Sequence, residues 1–130
     1  MYCVDTNIVV DIMRGDKALA IKVENMIFSG KNIFLTPITL CELYRGAFLH
    51  VNFDKKLQET ESIIFNFEFI DFNAQSCKVF GELYAEIKKS GKMISDFDLM
   101  IASICKANNL ILVTRDKKHF KNTKITIEEW

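Results

Sequence analysis

Asp5, Glu42, Asp98 and Asp116 are the residues of this chain with the types and surroundings for chemistry. Asp5 follows the apolar run Tyr2-Cys3-Val4, and Asp116 follows Leu110-Ile111-Leu112-Val113-Thr114-Arg115, so two acids stand just past segments that read as buried strands. Glu42 lies within Ile38-Thr39-Leu40-Cys41-Glu42-Leu43, and Asp98 within Ser95-Asp96-Phe97-Asp98-Leu99-Met100-Ile101-Ala102. In a parallel α/β sheet the C-terminal ends of the strands share one edge, and that edge binds ligands. Four carboxylates gathered there repel one another unless a cation lies between them. The pattern points to a Mg²⁺ or Mn²⁺ site, and from there to phosphate chemistry.

Each acid also has a purely local explanation. Asp5 is suited to cap a helix starting at Asn7 or Ile8. Asp98 stands three residues after Ser95, which is capping-box spacing, although Glu or Gln is usual there. Asp116 can open a turn at Asp116-Lys117-Lys118. Glu42 is harder to explain this way, with Arg45 one turn on as an ion-pair partner.

The elements that would position these acids alternate between short strands and longer helices. Strands are expected at Tyr2–Val4, Ile33–Leu35, Phe67–Ile70 and Leu110–Val113, with an edge strand at Ile125–Ile127. Helices are expected over Ile8–Arg14, Lys17–Phe28, Ile38–Leu49, Phe53–Phe65, Asn73–Ser90 and Asp96–Asn108. Gly15, Ser29-Gly30 and Gly91 supply stops, and Pro37 is acceptable in a first helical turn. The Asn73–Ser90 segment carries the clearest stripe, Val79, Phe80, Leu83, Tyr84 and Ile87. Together they predict an α/β fold of three layers, with about four or five parallel strands between helices.

The 130 residues predict one domain, spanning 1–130, with enough apolar content for a real core. No apolar run approaches a membrane span, and no signal peptide is visible, so a cytoplasmic location is expected. The four cysteines are far apart, in apolar settings and without a Cys-x-x-Cys spacing, and read as reduced core thiols rather than zinc ligands. Net charge is zero, so no overall field draws in nucleic acid. The cations are uneven, however: Arg115, Lys117, Lys118, His119, Lys121 and Lys124 cluster around Asp116. Such a run is either solvated surface or a basic rim suited to a polyanion whose reacting phosphate needs the metal.

The four acidic segments, in this order and at these separations, resemble the motifs of PIN-domain endoribonucleases of the VapC toxin type. The resembling stretches are Val4-Asp5-Thr6-Asn7-Ile8, Thr36 to Ala47, Asp96 to Ala102 and Leu112 to Phe120, with a similar close at Ile127-Glu128-Glu129-Trp130. Carried over position by position, the resemblance implies that Asp5, Glu42, Asp98 and Asp116 are the catalytic and metal-binding quartet. It implies a site-lining hydroxyl at Thr114, with Thr6 beside it. Asp96 is assigned as a cap or auxiliary acid, because only Asp98 stands directly before Leu99-Met100-Ile101-Ala102. Asp116 occupies a place where many relatives carry Asn, which adds charge for a cation. Arg45, Arg115, Lys117 and Lys118 are the expected substrate contacts.

The resemblance further implies Mg²⁺- or Mn²⁺-dependent hydrolysis of RNA to a 5′-phosphate and a 3′-hydroxyl. It implies a VapB-like antitoxin partner and a homodimer. The apolar residues of Met26-Ile27-Phe28 and of Phe48 to Phe53 suit either a partner groove or the core. Three other readings compete. The fold without catalysis would be a quiet RNA-binding module, and structured DNA is an alternative substrate of larger relatives with added segments. A receiver-like signalling domain would use Asp54 as phosphoacceptor after a middle strand at Phe48–Phe53. Against the receiver, Asp5 is followed by Thr6-Asn7 rather than a second acid, and no late strand ends in Lys-Pro.

Overall fold

The computed structural model describes all residues 1–130. Five strands form one parallel sheet: β1 (Tyr2–Val4), β2 (Ile33–Leu35), β3 (Glu68–Phe69), β4 (Ile111–Thr114) and β5 (Ile127–Glu129), in the order β3-β2-β1-β4-β5. β1 is central, with Cys3 level with Phe34 on one side and with Leu112 on the other. The chain runs outward from β1 through β2 to β3, then crosses back to β4. The order therefore reverses beside β1, and such a switch point opens a crevice at the strand C-termini.

Seven helices cover the sheet: α1 (Thr6–Met13), α2 (Lys17–Phe28), α3 (Pro37–Phe48), α4 (Phe53–Ile64), α5 (Ala74–Ser90), α6 (Asp96–Ala107) and α7 (Lys117–Phe120). Side chains alternate across each strand and build two cores. Cys3 and Leu112 face Val79, Leu83, Ile87 and Leu99 of α5 and α6. Val4, Leu35 and Val113 face Ile8, Leu19, Leu43 and Ile64 of α1 to α4. This is the expected three-layer arrangement. No helix is long and apolar enough to cross a membrane.

The expected elements are present, with shifts at their ends. α1 starts at Thr6 rather than Ile8 because the Asp5 side chain caps it. β4 runs to Thr114, one residue beyond the apolar stretch, because Thr114 still pairs with Glu129 of β5. That edge strand lies at Ile127–Glu129, two residues later than expected, and β3 is only Glu68–Phe69. Gly91 ends α5 with φ +69°, a left-handed conformation that glycine adopts without steric cost.

Two expectations are corrected. Cys3 and Cys105 are buried, but Cys41 and Cys77 are exposed, because each faces outward from its helix. Phe48 to Phe53 holds no strand: it is the end of α3, a turn and the start of α4. Asp54 therefore sits in the first turn of α4, away from any strand end, which removes the basis of the receiver reading.

α7 is a single turn where a simple turn was expected, and it is anchored by Phe120, which is 1% exposed. Phe120→Ala is expected to cost about 3–5 kcal/mol of stability, since it leaves a cavity under the segment that carries Asp116. Urea denaturation checks this; a loss below about 1 kcal/mol would contradict the anchoring role.

Candidate active site

Asp5 caps α1 at the end of β1 and is 6% exposed. Its Oδ1 accepts the Thr6 N–H at 2.8 Å, and its Oδ2 accepts the Thr114 hydroxyl at 2.8 Å. Thr114, fully buried at the end of β4, links several parts of the site. Its Oγ1 also accepts the Asp116 N–H at 3.0 Å and the Asn7 side-chain N–H at 3.3 Å. One hydroxyl thus ties the two strand ends together and fixes the backbone that presents Asp116. The Thr6 hydroxyl donates to Glu42 Oε1 at 2.7 Å, which draws α3 to the same point. Asp98 enters from the first turn of α6, whose N-cap Ser95 accepts the Asp98 N–H at 3.2 Å.

The four acids line one open cleft of about 510 Å³, together with Thr6, Asn7, Asp11, Arg14 and His119. Burial, the dominant cause, pushes the Asp5 carboxyl up to about 6; the charges of Asp98 and Glu42 push the same way, while the hydrogen bonds from Thr114 and Thr6 oppose them. The charge on Asp5 is therefore held under stress. The carboxylates do not close on one point, and no three His, Cys, Asp or Glu side chains are placed to hold a metal ion as they stand. Each is engaged elsewhere. Glu42 turns to Thr6, while Asp98 and Asp116 turn to His119, whose Nδ1 lies 3.7 Å from Asp98 Oδ2 and 3.0 Å from Asp116 Oδ2.

Among the other residues singled out, Asp96 is exposed and does not line the cleft. Arg45 stands at the rim, with Nη2 3.8 Å from Glu42 Oε2 and its guanidinium over the Phe97 ring at 5.6 Å. Lys117 and Lys118 are exposed at the start of α7 and line, with Lys121, a basic cleft of about 780 Å³ that shares Asp116 with the acidic one. Arg115 is different. Its guanidinium reaches Asp11 at 2.9 Å and Asp16 at 2.6 Å, and its Nε–H donates to the main-chain oxygen of Trp130 at 3.2 Å. It lines the basic cleft but is held by structural partners.

His119 and Asn7 also line the acidic cleft, and the sequence does not single them out there. His119 reads in the sequence only as one of a run of cations, although its place three residues after Asp116 puts it one helical turn away. Asn7 had a signal too, two residues after Asp5.

A family model described as PIN domain matches residues 2–125. The chain belongs to the PIN domain family. This PIN domain is 27% identical over 130 residues to Ribonuclease VapC1 of Haemophilus influenzae (strain R2866), covering 100% of this chain and 96% of that protein. It is 25% identical over 130 residues to the tRNA(fMet)-specific endonuclease VapC of Shigella flexneri, covering 99% and 97%. Its fold superposes on the crystal structure of VapBC2 from Rickettsia felis bound to a DNA fragment from the promoter, with a TM-score of 0.94 at 29% identity, covering 99% of this chain and 98% of that one.

Proposed function

We propose that this PIN domain is a metal-dependent endoribonuclease of the VapC type, the toxin of a toxin–antitoxin pair. The observation that carries the reading is the acidic cleft. A buried carboxylate is held against two further negative charges by hydroxyl and backbone donors, in a chain similar over its whole length to VapC ribonucleases. The donor set fits a hard divalent cation: all four carboxylates are oxygen donors, and the Asp5 charge lacks a cationic partner in the fold. A Mg²⁺ or Mn²⁺ ion held by Asp5, Asp98, Asp116 and Glu42 would supply positive charge to a scissile phosphodiester and acidity to an attacking water.

The chain's own residues do the rest. Thr114 and Thr6 keep Asp5 aimed into the cleft and its charge in place. Thr6 holds Glu42 Oε1, which leaves Oε2 to orient a water; its only cationic neighbour is exposed Arg45. Lys117 and Lys118 flank Asp116 where a backbone phosphate would lie. Arg115 braces the site rather than binding substrate.

The partner in this reading is a VapB-like antitoxin, as in the VapBC assemblies that the fold resembles. An apolar groove of about 460 Å³ between α1, α2 and α4 suits it, lined by Ile12, Val23, Ile27, Phe28 and Ile63, with Phe28 88% exposed. Phe48, Leu49, Val51 and Phe53 are also exposed, which suits a protein contact such as the homodimer.

Purified protein incubated with total cellular RNA, with and without Mn²⁺, is the test. Cleavage should require the metal, fall by on the order of a hundredfold or more in Asp98→Asn, and leave 5′-phosphate ends. Equal cleavage by Asp98→Asn would end the proposal.

A further inference from the structure

The acidic cleft has a second neighbour, on the side away from Asp116. Sheet order sets this direction. β2 and β4 lie on opposite sides of β1, so α3, which follows β2, flanks Asp5 across from Asp116. Between α1, α3 and α4 lies a cleft of about 440 Å³ that shares Val10, Arg14 and Glu42 with the acidic one. Beyond the shared Glu42, its polar lining is Arg14, His50, Lys56 and Thr60, so cations outnumber the one acid. Arg14 ends α1 exposed and makes no ion pair, and Lys56 has only its helix neighbour Glu59, at 3.7 Å. His50 Nδ1 accepts the Asn52 N–H at 3.1 Å, which leaves Nε2 as the ring nitrogen available to donate. Gly46 of α3 also lines this cleft, and an added Cβ there would meet nothing within 4 Å.

We propose that Arg14, His50 and Lys56 form a second phosphate-binding arm, so that single-stranded RNA runs from the Lys117–Lys118–Lys121 cleft across the acids and out past α3. The inference rests on the nuclease reading above and adds the path. A metal-holding acidic centre repels the flanking phosphates of its own substrate. Cations placed on both sides offset that repulsion, and they hold a strand that continues in both directions. The shared residues place the three clefts side by side, with the acidic one in the middle. The open floor at Gly46 leaves room for a sugar-phosphate backbone to lie against α3.

The experiment measures binding of a fluorescent single-stranded RNA of about 12 nucleotides to the Asp98→Asn protein, without metal, between about 50 and 200 mM KCl. Single strands give a slope of log K against log salt of roughly 0.7 per phosphate contacted. Adding Arg14→Gln and Lys56→Gln should flatten the slope by about 1.4, for two lost contacts. A control pair with the same change of charge, Lys78→Gln and Lys89→Gln on α5, should leave it unchanged. Gly46→Glu should weaken binding at least about tenfold by filling and recharging the floor. An unchanged slope in the Arg14/Lys56 variant, with Mn²⁺-dependent cleavage by wild type intact, overturns the arm and leaves the nuclease reading standing. If wild type cleaves no RNA and the parent binds none, both fall together.

Discussion

Asp5→Asn is expected to abolish metal-dependent RNA cleavage while making the metal-free protein more stable near pH 7.5. The fold holds the Asp5 carboxyl at about 6 instead of 3.8. At roughly 1.4 kcal/mol per pH unit, keeping it ionised costs the metal-free protein about 3 kcal/mol. Asparagine removes that cost. It also presents an N–H where Thr114 Oγ1 already accepts two donors, which returns about 1–1.5 kcal/mol. The expected gain is therefore about 1–2 kcal/mol by urea denaturation. The pH dependence has a definite sign. The native state holds this proton more tightly than the unfolded chain, so its stabilisation is complete below pH 3.8 and is lost as pH rises through about 6. Wild-type metal-free protein should lose stability across that window relative to Asp5→Asn. Mn²⁺ should restore it in wild type only. An Asp5→Asn protein less stable than wild type at neutral pH would show that the Asp5 charge is not under stress.

Thr114→Val should damage both stability and activity, although Thr114 carries no charge. The substitution keeps the shape and removes the hydroxyl. Asp5 loses a donor, and the Asp116 N–H and Asn7 amide lose an acceptor. A hydrogen bond to a charged group contributes about 1.5–3 kcal/mol, so a loss of about 2–3 kcal/mol is expected. Mn²⁺ affinity by calorimetry and the cleavage rate should each fall about 10–100-fold, as when a ligand's supporting partner is removed. Thr114→Ser keeps the hydroxyl. It should stay within a few-fold of wild type in activity and lose about 1 kcal/mol for the missing methyl. Equal activity in the valine and serine variants would remove Thr114 from the site's support.

The framework was legible because its signals are strong. β4 is apolar on both faces, and the α5 stripe repeats at helical spacing. The meeting of Asp5 and Asp116 follows from strand ends sharing an edge, while Glu42 and Asp98 reach the same cleft from α3 and α6. What escaped was set by contacts distant in sequence. Arg115 looked like one more cation in a basic run, yet Asp16, 99 positions earlier, accepts its hydrogen bond. No local pattern marks such a pair. α7 has four residues, too few for any periodicity to show. Cys41 looked like core because its neighbours are apolar, but a helix turns adjacent residues to different faces.

The bond between Thr114 and Asp5 joins residues 109 positions apart, and β1 needs β4 as its neighbour. A ribosome that has made the first hundred residues therefore carries a chain with three of its four acids and no assembled centre. Asp5 Oδ2 lacks its partner, and Asp116 is missing, until the segment carrying Thr114 and Asp116 emerges. In the nuclease reading the cutting activity arises only after the segment through Asp116 has been made. The order of synthesis itself delays the centre, because Thr114 and Asp116 lie in the segment made after the other three acids.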